Sequence, residues 1–218
     1  VKNKLVFTLM PLLLTSFIAV GCQQAYYSTM EKFGVHKRDI MVDRVEEARD
    51  SQQDAKEQFQ SALEQFSKVL NFKEGKLEDK YNTLQAEYDK SAARAEEVKK
   101  RIDAVEDVSE ALFDEWEAEL DQYTSSSLRR DSEKKMARTR RQYEQLIKAM
   151  RRAEVKMEPV LKAFHDQVLY LKHNLNAQAI ASLQSELVAV ESDIAKLIKE
   201  MEKSIGEADS FIKAMLEE

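Results

Sequence analysis

Few residue types in this chain could do chemistry. It has one cysteine, Cys22, and three histidines, His36, His165 and His173, among 40 acidic and 34 basic residues. A lone thiol can be a nucleophile, a metal ligand or an attachment point, but it closes no disulfide within its own chain. Histidines hold metal in di-iron helical bundles as Glu-x-x-His, whereas Phe33, Lys162 and Tyr170 stand three residues before these. They read as helix-surface or capping residues. Gly75-Lys76 resembles the end of a phosphate-binding loop, yet Leu70 occupies the place of its first glycine and Leu77 that of the magnesium-binding hydroxyl. Carboxylates occur throughout and select no site. The expectation is no catalytic residue, no metal site and no cofactor, hence not an enzyme.

Cys22 has a context that assigns it. Lys2 and Lys4 precede an apolar run from Leu5 to Val20, and Ala19-Val20-Gly21 then places small residues directly before the thiol. At roughly 16 residues the run is shorter than the ~20 that span a bilayer as a helix, and its position at the start of the sequence fits export and removal. The stretch resembles the lipobox of bacterial lipoprotein precursors, with Ala19, Val20 and Gly21 as the signal-peptidase recognition residues and Cys22 as the lipidation site. The expected partner is therefore a membrane, reached through acyl chains that contribute ~0.8 kcal/mol per buried methylene. Gln23 follows the cysteine, where Asp commonly accompanies inner-membrane retention, so the expected address is the periplasmic face of the outer membrane. Removing residues 1–21 takes Lys2 and Lys4 away and moves the formal charge from −6 to −8. Such an acidic chain is a poor binder of nucleic acid by counterion release.

The elements that must present these residues are helices. Four Gly and two Pro in 218 residues leave little punctuation for strands and turns, and 34% of residues are charged. Alternating steps of four and three from Leu77 reach Leu84, Val98, Ile102, Val105, Leu112, Trp116 and Tyr123, and 11 of the 14 positions are apolar or aromatic. A helix of roughly 48 residues is ~72 Å long, too long for a compact globule. A second stripe runs from Met41 through Phe59 and Phe66 to Val69, a third from Met136 to Leu171 and a fourth from Ile180 to Met215. Met136, Met150, Met157, Met201 and Met215, like Phe113 and Trp116, read as core filler. Pro159 lies within the third stripe and should kink or restart that helix.

Turns are expected at Asn71–Gly75, at Thr124–Ser127 and at Lys172-His173-Asn174-Leu175-Asn176-Ala177, where Asn174 and Asn176 suit a left-handed turn and a helix cap. The helical segments are then 25–72, 76–123, 128–172 and 177–217. Ser28-Thr29-Met30-Glu31 has capping-box spacing and Gly34 can end a short helix, so residues 22–34 form a membrane-proximal tether and 35–218 one elongated helical domain. The expected fold is an all-α, antiparallel bundle of about four long helices. The alternative is three helices, the last continuous across 128–217, because Leu171, Leu175, Ala179 and Leu183 keep a stripe through the third turn. Lys172, His173, Asn174 and Asn176 are a candidate partner-binding tip as well as a turn.

Between Arg129 and Arg152 ten residues are basic and three acidic, whereas from Asp103 to Asp121 nine are acidic and none basic. A hairpin turning near Ser125 pairs residue i with about 251 − i and lays one run beside the other. Internal neutralisation is thus expected over an anion site, the series selecting register although each exposed pair contributes below ~1 kcal/mol.

Three strings, "MEKFGVHKRDIMVDRVEEAR" (30–49), "ALFDEWEAELDQY" (111–123) and above all "PVLKAFHDQVLYLKHNLNAQAI" (159–180), resemble an uncharacterised bacterial family, domain of unknown function 2959. The resemblance implies an exported helical lipoprotein and transfers no catalytic residue.

The expected function is a lipid-anchored, periplasm-facing coiled-coil lipoprotein with a structural or adaptor role and an envelope protein as partner. The alternative is a membrane-associated or membrane-remodelling homodimer with the 129–152 face on headgroups; a periplasmic holdase is the weaker one. Glu217-Glu218 lacks the terminal lysine through which the small murein lipoprotein is joined to peptidoglycan, so that linkage is not expected.

Overall fold

A computed structural model describes residues 30, 34–71, 76–174 and 176–217 of the chain. Four long helices account for nearly all of them: α1 (Lys37–Asn71), α2 (Leu77–Leu120), α3 (Ser126–His173) and α4 (Ala177–Glu217). Contacts run α1 to α2, α2 to α3, α3 to α4 and α4 back to α1, so the helices close a ring. Cross-helix pairs fix their directions. Arg94 meets Asp54 at 3.1 Å and Arg101 meets Glu47 at 2.7 Å, so α1 and α2 are antiparallel. Arg49 meets Asp209 at 3.2 Å and Lys56 approaches Glu202 at 3.8 Å, so α4 is antiparallel to α1. This is the up-down-up-down four-helix bundle expected from the stripes.

Each helix buries the face that its spacing dictates. Met41, Val45, Ala48, Ala55, Phe59, Ala62 and Phe66 of α1 are fully buried, as are Val98, Ile102 and Val105 of α2, Leu146, Met150 and Phe164 of α3, and Leu197 and Met201 of α4. Toward helix ends the stripe slips by one residue. Leu70 is buried in place of Val69, and Leu120 in place of Glu119. A straight helix drifts ~20° per heptad from a strict seven-residue repeat, and over five or six heptads that amounts to one position. Hence Trp116 is only half-buried and Tyr123 is exposed, while Phe113 lies in the core.

Helix ends follow side-chain chemistry. Gly34 has φ 79°, and the Val35 N–H donates to the Met30 carbonyl at 3.1 Å, the six-residue closure that a left-handed glycine permits. His36 then starts α1, its N–H donating to Asp39 Oδ2 at 3.2 Å. At the other end of α1, Lys80 Nζ donates to Val69 O at 3.1 Å and Gln184 Nε2 to Leu70 O at 2.8 Å, so neighbouring helices satisfy carbonyls that have no partner within α1. Gly75 and the rest of 72–75 lie outside the described residues.

Three expectations change. α2 ends at Leu120, three residues before Tyr123, because Asp121, Gln122 and Tyr123 are all exposed and nothing holds them to the core. α3 begins two residues before Leu128, at Ser126, since Ser125 Oγ accepts from the Leu128 N–H at 3.5 Å and acts as its cap. Pro159 does not restart the helix; α3 runs through it. Its exposed position leaves the carbonyl four residues earlier, on exposed Val155, next to solvent rather than core.

Candidate functional site

The turn predicted over 172–177 exists, which removes the continuous 128–217 helix. α3 stops at His173, and the Asn174 N–H donates to Leu171 O at 3.2 Å. Asn176 caps α4, its Oδ1 accepting from the Ala179 N–H at 2.9 Å. Asn174 does not take a left-handed conformation: it sits at φ −130° and ψ 59°. Its side chain instead donates from Nδ2 to Tyr170 O at 2.9 Å, so the carboxamide folds back on the last turn of α3. Lys172 and His173 are the exposed last residues of α3, placing two basic side chains at the negative end of its dipole.

This turn and the α1–α2 connection share one end of the bundle. At the opposite end lie the start of α1, the Ser125 turn and the end of α4, where Lys37 Nζ reaches Glu115 at 2.8 Å and the Arg38 guanidinium donates to the Met215 carbonyl. Ala19, Val20, Gly21 and Cys22 lie outside the described residues. The chain therefore enters the bundle at the end from which the basic run of α3 begins.

The acidic and basic runs meet across α2 and α3. Arg129 reaches Asp121 at 3.0 Å, Arg140 reaches Glu117 at 3.7 Å, and Arg151 bonds Asp103 at 2.6 Å as well as Glu106 and, at 2.7 Å, Glu154. The partners stand one to six residues off a strict 251 − i rule, Arg129–Asp121 by one and Arg140–Glu117 and Arg151–Glu106 by six, so the facing register is shifted from a turn centred at Ser125 as well as bridged by long side chains. Hydrogen bonds from Arg151 and Lys99 hold the Asp103 carboxyl below the usual range, and the Glu106 bond leads those that hold the Arg151 guanidinium above its ordinary value. Behind this row, Arg140 lies over the Phe113 ring at 4.6 Å, Phe113 meets Tyr143 at 5.7 Å, and Trp116 Nε1 donates to Ser132 at 2.8 Å. Burial pushes the Tyr143 phenol up.

Neutralisation is incomplete. Arg152 turns instead toward Glu200 of α4 at 3.7 Å, and Lys135 pairs with Asp131 of its own helix at 3.3 Å. Among the described residues, exposed Arg130, Lys134, Arg141 and Lys148 make no ion pair. They recur at steps of four, seven and seven, which is one outward line along α3.

The histidines stay apart. His36 starts α1, His173 ends α3, and His165 lies tilted on Tyr88 at 5.4 Å. Among the described residues no group of three or more His, Cys, Asp or Glu could hold a metal ion, and no helix is long and apolar enough to cross a membrane. Sequence reasoning missed the polar residues inside the core. Gln52, Ser204 and Gln167 are buried with side-chain atoms that have no hydrogen-bond partner. Gln52 was legible as the one polar member of its stripe; Gln167 and Ser204 sit one residue before Val168 and Ile205 and were masked by them.

A closed ring of four antiparallel helices, cross-braced by ion pairs, defines an all-α helical-bundle protein. The chain belongs to the family described as a protein of unknown function, DUF2959, which matches residues 26–215. No curated protein and no solved structure matches it.

Proposed function

We propose that this protein is a lipid-anchored bacterial envelope protein without catalytic activity, a tethered bundle that holds a partner at a distance from the membrane. The observation that carries the reading is Cys22 behind Ala19-Val20-Gly21 at the end of the apolar run, with basic Lys2 and Lys4 before it. The topology supports it: an anchor at Cys22 joins the bundle at the α1 end, so the 172–176 corner becomes the membrane-distal tip. α1, 35 residues long, spans ~50 Å of the bundle's height, and Gln184, level with Leu70 at its end, is eight residues or ~12 Å from Asn176, so that tip stands ~60 Å from the tethered end. Lys172, His173 and the exposed Asn176 are then offered to an envelope protein. The outer-membrane address follows from Gln23 after the cysteine.

Full-length protein made in a bacterial host is the test. The wild type is expected to pellet with membranes, to need detergent for release and to carry acyl chains on an N-terminal Cys22. Cys22→Ser is expected in the soluble periplasmic fraction. A Cys22→Ser protein that stays with membranes, or a wild type without acyl chains, would remove the anchor.

The unpaired line Arg130, Lys134, Arg141 and Lys148 favours a second reading, in which α3 lies against anionic headgroups. Co-sedimentation with anionic but not zwitterionic vesicles, lost when the four are changed to Gln, would establish it.

A further inference from the structure

The bundle end at which α1 starts exposes apolar side chains that no helix covers. Tyr123 and Leu128 flank the α2–α3 turn and Leu216 lies in the last turn of α4, at 41%, 60% and 71% exposure. Singly, such residues need no explanation. Here three share one cross-section of four helices, whose axes pack ~8–10 Å apart. Charges around them are paired with one another: Arg129 meets Asp121 at 3.0 Å, Lys37 meets Glu115 at 2.8 Å and Lys213 approaches Glu217 at 3.8 Å. Neutralised charge, exposed leucines and a tyrosine suit the headgroup level of a bilayer, where one end of an amphipathic ring is apolar and the other wet.

The chain leading to this end identifies what lies against it. The Val35 N–H donates to the Met30 carbonyl at 3.1 Å and Met30 packs on the core, so residue 30 is already held to the bundle. Eight residues separate it from Cys22, and fully extended they cover at most ~29 Å. An acylated Cys22 therefore keeps this end within ~30 Å of the headgroups, about half the distance from this end to the 172–176 corner. Tyr26 and Tyr27, in the intervening stretch, are of the same interfacial residue type as Tyr123. A surface too small to hold a bilayer unaided meets it here at high effective concentration.

We infer that this end seats on the bilayer surface, with Leu128 and Leu216 among the headgroups and Tyr123 beside them, so that the bundle stands upright on the membrane that anchors it. The inference rests on the Cys22 anchor of the proposed function and adds an orientation to it. Because the charges at this end are paired, the seat does not require anionic lipid.

The test uses the full chain, acylated in its host and reconstituted with vesicles of phosphatidylcholine, alone or mixed with phosphatidylglycerol, whose acyl chains carry a nitroxide quencher. Cys22 is the chain's only cysteine, so once its sulfur is a thioether, Thr124→Cys or His173→Cys supplies the single thiol for a fluorophore. Both positions are exposed. Flotation with the vesicles reads the anchor, and quenching reads the seat. Fluorescence is expected to be lost at 124 in both lipid mixtures and kept at 173 in both. Leu128→Ser combined with Leu216→Ser is expected to float as before and to lose the quenching at 124. Flotation without quenching at 124, or quenching that survives both serines, would overturn the seat and leave the anchor standing. Quenching at 173 would overturn it in favour of α3 lying along the surface. A protein that does not float would overturn anchor and seat together.

Discussion

The rings of Phe66 in α1 and Phe164 in α3 stack face to face, their centroids 4.3 Å apart and their planes 19° from parallel. These helices are diagonal in the bundle, so the pair ties together the two elements that the ring of neighbouring contacts leaves separate. Both side chains are fully buried. Phe164→Ala is therefore expected to cost ~3–5 kcal/mol, as a large core deletion does. Phe164→Leu should cost less than half of that. Denaturant titration followed by circular dichroism reads both, and equal, small losses would show that the diagonal contact contributes little.

Gln52 is the contrary case. It is fully buried, and neither its Oε1 nor its Nε2 has a partner. It lies between the Arg49–Asp209 and Lys56–Glu202 pairs, level with Ser204, whose hydroxyl is also unpartnered. Since an unsatisfied buried polar group costs ~1–3 kcal/mol, Gln52→Met is expected to stabilise the bundle by at least ~1 kcal/mol. The denaturation midpoint should rise with an unchanged slope. A fall would mean that the carboxamide is satisfied within the bundle, for instance by internal water.

Arg151 links the acidic run of α2 to α3 through Asp103 and Glu106. The Asp103 carboxyl is held below its ordinary value, so this stabilisation is complete above the unfolded carboxyl range, near ~4, and disappears as pH falls through the lower folded value. The groups are partly exposed, which limits each pair to below ~1 kcal/mol. Arg151→Met should melt below the wild type at neutral pH, and the gap should shrink in strong acid. A gap that is constant with pH would assign the loss to packing alone.

The 172–176 corner depends on Asn176, whose Oδ1 takes the Ala179 N–H. Asn176→Ala is expected to cost ~1 kcal/mol and Asn176→Asp close to nothing, as for other helix caps. Hydrogen exchange should accelerate in the first turn of α4 and nowhere else. Protection that is unchanged would remove the cap from the account.

Most of this architecture could be read from spacing, because a long amphipathic helix repeats its signal over many turns. The stripes through Phe59, Ile102, Phe164 and Leu197 all became core. What spacing misjudged lay at the ends. There one residue of accumulated drift put Leu120 inside in place of Glu119, and exposed Tyr123 dropped out of the helix. The Asn174 corner was placed correctly but not its backbone, which is not left-handed, the side chain folding back on Tyr170 O instead.

The central claim is a self-sufficient bundle tethered by one end. Small-angle scattering coupled to light-scattering mass, on residues 23–218 without lipid, tests it most directly. The account predicts a monomer whose longest dimension is ~70–80 Å, set by the 48 residues of α3. A dimer well over ~100 Å long would contradict it, because α3 and α4 would then run on as one helix and expose a stripe that only a second chain could cover.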